Sequence, residues 1–270
     1  MPEKVDLYNT AYGNSETEVY SGLRRDTYGI DLGQTSWMNS AEVAEIPRML
    51  NLHGDSKVLE IGCGAGGCAL HFAAAIGCSV TGIDANAHAI HAAQTAEKAH
   101  ALEGRVNFLL HDAGTPLPFS ETAVDGMFDA VYSNDAFCHI PNRLQLLREC
   151  RRVMKPRARL LFSDALVVNG ALTNEEIAAR SSIGYYIFVP RGENERLMQE
   201  AGFSVIASLD TTERAAEISQ RWRDARERRK ELLTQMEGDA TFEGLQKFLA
   251  CVHTLTSTGR LARILYVAEK

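Results

Sequence analysis

No C-x-x-C pair occurs among the six cysteines of this 270-residue chain, Cys63, Cys68, Cys78, Cys138, Cys150 and Cys251. A structural zinc site draws on paired ligands at short spacing, so reduced thiols are the simpler account. His88, His91 and His100 recur along one predicted helix, but their spacings of three and nine leave a ligand set incomplete, and no metal is expected. The sequence also lacks a run of about 18 apolar residues that could span a bilayer. Its start, Met1-Pro2-Glu3-Lys4-Val5-Asp6, carries acids and no apolar h-region, so an unexported, soluble, cytoplasmic protein with no membrane partner is expected. Basic charge is scarce: 28 Lys and Arg against 35 Asp and Glu give a net charge of −7, which argues against nucleic acid as a partner. Internal repeats and low-complexity linkers are absent too. With 45% hydrophobic and 23% charged residues, the composition is that of an ordinary globular protein, long enough for one large core with decorations.

What is present is an alternation. From Lys57 onward, short β-rich runs (58–61, 79–83, 106–110, 128–132 and 159–162) alternate with helical stretches at 69–76, 87–102 and 144–154. Such alternation predicts a parallel sheet covered on both faces. Residues 1–56 read as a helical, partly irregular arm. The core, 57–270, carries insertions at about 165–190, where Thr173-Asn-Glu-Glu176 reads as a helix cap, and at 211–258, which includes a charged helix from about Thr212 to Gln235. In that helix Glu217 is spaced to pair with Arg221 and Asp224 with Arg228, which predicts a solvated face.

The informative stretch is Val58-Leu-Glu-Ile-Gly-Cys-Gly-Ala-Gly-Gly67. Gly62, Gly64 and Gly66 follow a strand and open a helix, where the chain turns tightly and lets a ligand approach its backbone. Gly62, Gly64 and Gly67 also satisfy G-x-G-x-x-G, so the loop alone leaves a dinucleotide and another adenosine cofactor both open. Acids at successive strand ends separate the two. Glu60 would oppose a pyrophosphate anion but attract a cation. Asp84, 20 residues after Gly64, can accept both ribose hydroxyls; Asp112 can accept from an adenine amine, with the Ala113 N–H nearby; Asn134 and Asp135 close the fourth strand. Together they describe a pocket for an adenosine with a positively charged tail and no phosphate.

In order and spacing these motifs resemble the class I S-adenosylmethionine-dependent methyltransferases. The resemblance implies a Rossmann-like α/β fold, a mostly parallel seven-stranded sheet with an antiparallel last strand, and helical lid insertions. It implies S-adenosylmethionine as cofactor: Glu60, Gly62, Cys63, Gly64 and Gly66 would form its loop, Asp84 with Ala85 and Asn86 would hold the ribose, Asp112 and Ala113 the adenine, and Asn134 and Asp135 the methionine side. The 115–119 loop and Met154-Lys-Pro156 also look like steps of that family. Ser133 to Arg143, Tyr28 to Trp37 and the charged helix resemble more closely the sarcosine/dimethylglycine and phosphoethanolamine N-methyltransferases. Leu32-Gly-Gln-Thr35 replaces a His-containing stretch there, and Ile140-Pro141 also departs from the pattern, which leaves the acceptor open.

The resemblance implies a small-molecule acceptor, an amine before an oxygen or carbon centre. His139 would face the methyl group, and its ordinary pKa near 6.5 suits a general base. Tyr28 and Trp37 would close over the cofactor while Gln34 and Ser36 bond its amino-acid end; alternatively the aromatics anchor the arm on the core. Tyr185 and Tyr186 would hold the acceptor, with their rings placed for a cation–π contact. A nicotinamide oxidoreductase and a non-catalytic cofactor-binding module stay as alternatives, and nothing in the sequence sets an oligomeric state.

Overall fold

Each apolar run stops near a glycine or an acid, and in the computed structural model, which describes residues 5–102, 104–119 and 127–270, the runs become one mixed sheet. Residues 1–4, on which part of the reading of the chain start depends, lie outside the described residues. The strands are β1 (Lys57–Ile61), β2 (Ser79–Asp84), β3 (Val106–Leu110), β4 (Phe128–Ser133), β5 (Met154–Val168), β6 (Val189–Pro190), β7 (Ser204–Asp210) and β8 (Leu261–Glu269). Their order is β3-β2-β1-β4-β5-β8-β7, with β6 on β5. Every pairing is parallel except those of β8, which runs antiparallel to both β5 and β7. The eighth strand, beyond the seven expected, is the two-residue β6: β5 extends past the other strands to Val168, and its end pairs with Val189 and Pro190.

The order turns back between β1 and β4, because the chain winds outward through β2 and β3 and then restarts on the other side. At such a switch point the connections diverge and leave a crevice at the carboxyl ends of the strands. α4 (Gly67–Ile76) and α5 (Ala87–Ala99) cover one face together with α3 (Ser40–Met49); α6 (Arg143–Val153) and α8 (Glu193–Glu200) cover the other.

A third buried cluster lies outside this sandwich. It joins α1 (Leu7–Gly13) and α2 (Glu18–Tyr28) to α9 (Thr212–Glu227), α10 (Lys230–Glu237) and α11 (Asp239–Ser257). α7 (Asn174–Arg180) begins with the capping box that its sequence suggests: the Thr173 hydroxyl accepts from the Glu176 N–H, and the Glu176 carboxylate accepts from the Thr173 N–H.

The charged stretch departs from expectation in two ways. It breaks at Arg228–Arg229, and both guanidiniums donate to Asp26 of α2. Arg221 does pair with Glu217, but Asp224 accepts from Gln220 instead of Arg228. Arg226 is fully buried against Glu237, which also accepts from the Tyr20 hydroxyl. Part of the basic face is therefore packed, Arg226 on Glu237 and Arg229 on Asp26, while Arg228 and Lys230 stay exposed.

Candidate active site

The crevice is a cavity of about 490 Å³ at the ends of β1, β2 and β4, a size usual for small-molecule sites. The backbone builds its floor. Gly62 and Gly64 have φ of +72° and +53°, and a Cβ on Gly62 would stand 2.3 Å from that of Ala136. Glycine is required there by conformation and by space. Gly66, at the start of α4, faces away: its Cβ would meet Phe108 and Ala93, so it serves helix packing and does not line the cavity.

Asp84 caps the loop, its carboxylate accepting from the N–H groups of Gly64 (2.9 Å) and Asn86 (2.8 Å). Ala85 lines the wall beside it, and Asn86 turns its side chain to the start of α5 and to Asn9. Asp112 is exposed at the rim, one oxygen accepting from the Gly114 N–H, with Ala113 beside it. Glu60 is buried, and its Oε2 has no hydrogen-bond partner. Burial and then the neighbouring Asp84 push its pKa up to about 8. Ser36 is buried on the same wall, its hydroxyl also unpartnered. Cys63 lines the floor with its thiol pushed up by burial, which makes it a wall and not a nucleophile.

Asn134 and Asp135 close β4 against a buried guanidinium. Arg263 of β8 donates to Asp135 (2.9 Å), to Asn134 Oδ1 (2.9 Å) and to both oxygens of Glu42 (2.7 and 2.8 Å). The Ser163 hydroxyl accepts from the Asp135 N–H and donates to Asn134 Oδ1 or Asp135 Oδ1, each 2.9 Å away. Asp135 has φ +54°, and this lattice holds it there.

The other end is aromatic. The His139 ring has Nδ1 2.8 Å from the Tyr185 carbonyl and Nε2 3.0 Å from the Tyr8 hydroxyl. A carbonyl only accepts, so Nδ1 carries a proton, and in the neutral ring Nε2 accepts from Tyr8. Burial lowers the His139 pKa below its ordinary value, which favours the neutral ring. Tyr8 and Tyr185 line the cavity; Tyr186 stands behind, its ring 4.4 Å from that of His139 and its hydroxyl 3.3 Å from that of Tyr8.

Three expectations about the arm change. Trp37 is buried against Trp222 and Phe248, and Tyr28 against Trp222; neither lines the cavity, because burying two large rings in the third cluster outweighs placing them over a ligand. Trp37 contributes its backbone N–H, which donates to Asp135. Gln34 lines the cavity, but its amide is spent on the local turn, accepting from the Leu32 N–H and donating to the Ile30 carbonyl. Conversely, Tyr8, Tyr12 and Thr35 line the site and went unpredicted. The i, i+4 spacing of Tyr8 and Tyr12 on one helix face was the available signal.

The described lining residues include four carboxylates (Glu60, Asp84, Asp112, Asp135) and no lysine or arginine, although Arg263 pairs with Asp135 from behind. With the unpartnered oxygens of Glu60 and Ser36 and a glycine floor, the cavity fits an adenosine-bearing cation and disfavours a pyrophosphate.

Fold and site together define a Rossmann-like class I methyltransferase. Residues 59–162 match the methyltransferase domain family. The O-methyltransferase rstn1 of Aspergillus nomiae is 32% identical over 168 residues, 62% of this chain and 72% of that protein. Phosphoethanolamine N-methyltransferase 1 of Zea mays is 29% identical over 199 residues, 74% of this chain but 38% of that protein. The structure of phosphoethanolamine N-methyltransferase 2 of Haemonchus contortus superposes with a TM-score of 0.78 at 23% identity, covering 100% of this chain and 61% of that one. The chain belongs to the S-adenosylmethionine-dependent methyltransferases.

Proposed function

We propose that the protein methylates a hydroxyl group of a small, uncharged organic acceptor, with a phenol as the best fit. The observation that carries this reading is the geometry of His139: Nδ1 lies 2.8 Å from the Tyr185 carbonyl and Nε2 3.0 Å from the hydroxyl of the cavity-lining Tyr8, in a buried setting that lowers the ring's pKa. A neutral amine needs little base help, since its proton can leave after the bond forms, whereas a hydroxyl must lose its proton as it reacts. The lining supports the same choice, because the phosphate or carboxylate of a phosphoethanolamine-like or sarcosine-like amine would find no cation there among the described residues. The relative from Aspergillus nomiae, matched over 72% of its own length, is named an O-methyltransferase.

S-adenosylmethionine supplies the methyl group and, as a sulfonium, its own activation. In this reading Asp84 accepts from the ribose hydroxyls, Asp112 and the Ala113 N–H meet the adenine edge, and Glu60, Ser36 and Asn134 surround the charged end. The Leu32–Ser36 segment and α1 screen the cavity from water and align the reactants. Tyr8 takes the acceptor proton while its own passes to His139 Nε2. Tyr185, 62% exposed at the rim, offers its ring to a flat acceptor. Matched phenols and anilines incubated with methyl-labelled cofactor test the choice. Label on the phenols is expected; label on the anilines alone would overturn it.

A further inference from the structure

Arg180, the last residue of α7, is 1% exposed, yet among the described residues no carboxylate forms an ion pair with it. Its Nη1 has no hydrogen-bond partner. Three rings surround the guanidinium instead, at 4.5 Å (Tyr186), 5.2 Å (Phe248) and 5.8 Å (Trp37). Other buried arginines contrast with it: Arg143 holds Asp164 at 2.7 Å, Arg226 holds Glu237, and Arg263 holds Glu42 and Asp135. Removing a guanidinium from water without a counter-charge is costly, and cation–π contacts offset part of that cost.

Its neighbours give the charge a use. A carbonyl only accepts, so with a neutral ring the Tyr185 end of the cluster fixes the direction of the bonds that follow it. Arg180 lies 4.5 Å from the centre of the Tyr186 ring, the Tyr186 hydroxyl stands 3.3 Å from that of Tyr8, Tyr8 donates to Nε2 of the neutral His139 ring, and His139 Nδ1 donates to the Tyr185 carbonyl. Every hydroxyl in the row then points toward the histidine. We propose that Arg180 is a positioning residue for the methyl-transfer step: from behind Tyr186 its unpaired charge orients the Tyr186–Tyr8 pair toward His139 and holds that ring in its uncharged, proton-accepting form.

The surrounding charges support this assignment. The ionisable groups facing His139 are Tyr8 from α1, Tyr186 from the segment after α7, Arg180 from α7, Cys138 from its own turn, Asp135 from the end of β4 and Asp164 from β5. The two carboxylates, which favour a protonated ring, are neutralised by Arg263 and Arg143. That leaves Arg180 as the cation of the group with no carboxylate of its own, opposing a second positive charge on His139. When the acceptor proton arrives through Tyr8, the same repulsion favours its onward release, which resets the base.

The proposal rests on His139 acting as the base, but its test reads the ring itself and so can fail separately. In the unliganded, isotope-labelled protein, with His139 identified by the signal lost in His139→Gln, nuclear magnetic resonance should show an Nδ1-protonated ring titrating below 6.5. Arg180→Met, which removes the charge and keeps an apolar stem, should raise that midpoint by about one pH unit. The acidic limb of kcat/KM should move by the same amount, while Arg180→Lys leaves both nearly unchanged. An unshifted midpoint in Arg180→Met, or an equal shift in Arg180→Lys, would overturn the proposal. If Arg180→Met does not fold, the wild-type ring decides, and a midpoint at or above 6.5 refutes the role. Full activity in His139→Ala would remove the base while leaving the electrostatic finding intact.

Discussion

The two ends of the cavity are built by different means. At the glycine-loop end, β1, β2 and the turns after them supply Glu60, Gly62, Gly64 and Asp84 from 25 consecutive residues, and the bonds are mostly between backbone and carboxylate. At the His139 end, three segments distant in sequence meet through side chains: Tyr8 and His139 are 131 positions apart, Tyr8 and Tyr186 178. One end is acidic and apolar-floored, the other aromatic and hydroxyl-rich. Such a division suits a reaction in which one reactant is always the same and the other is particular to the enzyme, since a local motif can persist while long-range contacts vary.

The division can be broken at either end. The largest effect expected is from His139→Ala with a hydroxyl acceptor: kcat falls about 10²- to 10⁴-fold, while calorimetric affinity for S-adenosylmethionine stays nearly unchanged. Equal losses in both would mean that the ends are not separable. Asp84→Ala should do the reverse. It removes a half-buried acceptor for two hydroxyls and the bond to the Gly64 N–H, so cofactor affinity drops about 100-fold, read by the same calorimetry.

These two ends were not equally legible in the sequence. Strand ends and glycine turns are local features, so Glu60, Asp84, Asp112 and Asn134 could be placed from periodicity and spacing alone, and all four line the cavity. The mostly parallel sheet, the antiparallel last strand and the bounds of β1 to β4, each to within a residue, followed from the same signals and the resemblance; the strand order β3-β2-β1-β4-β5-β8-β7 did not. Tyr8 could not be placed, because its value depends on where α1 lands after the rest has folded. Trp37 and Tyr28 misled for a related reason: a glycine-rich polar segment around an aromatic suggests a ligand contact, but the partners that claim these rings, Trp222 and Phe248, lie some 200 residues away. Arg263 gave no signal, since a lone arginine in a β-strand acquires meaning only beside Glu42 and Asp135.

A smaller effect tests whether the arm joins the two ends. The fourth glycine of the loop, Gly67, has an ordinary φ, but a Cβ there would lie 1.9 Å from the Leu32 carbonyl oxygen, and one on Gly33 would lie 2.7 Å from that of Ala65. The loop and the arm touch backbone to backbone. Gly67→Ala should therefore cost about 1–3 kcal/mol of stability, the range for overpacking, and weaken cofactor binding although Asp84 and Glu60 are untouched. An unchanged melting temperature would show that the arm is not seated on the loop.

The mildest test uses pH and concerns the acidic end alone. The folded-state pKa of Glu60, about 8, lies above the ordinary glutamate value of 4.5, so the folded protein holds a proton that the unfolded chain has released. Its contribution to stability is fully present below about pH 4.5 and is lost as pH rises through about 8, with a slope of at most about 1.4 kcal/mol per pH unit for one group. Thermal melts of the unliganded protein should show this decline, and Glu60→Gln, which keeps the shape without the ionisation, should flatten it. A bound cation should flatten it as well, by giving the carboxylate a partner where it now has none. Tyr8→Phe, at the other end, should leave the decline in place. If the Gln variant declines as steeply as the wild type, the buried carboxyl is not what sets the pH response, and the acidic end loses its preference for a cation.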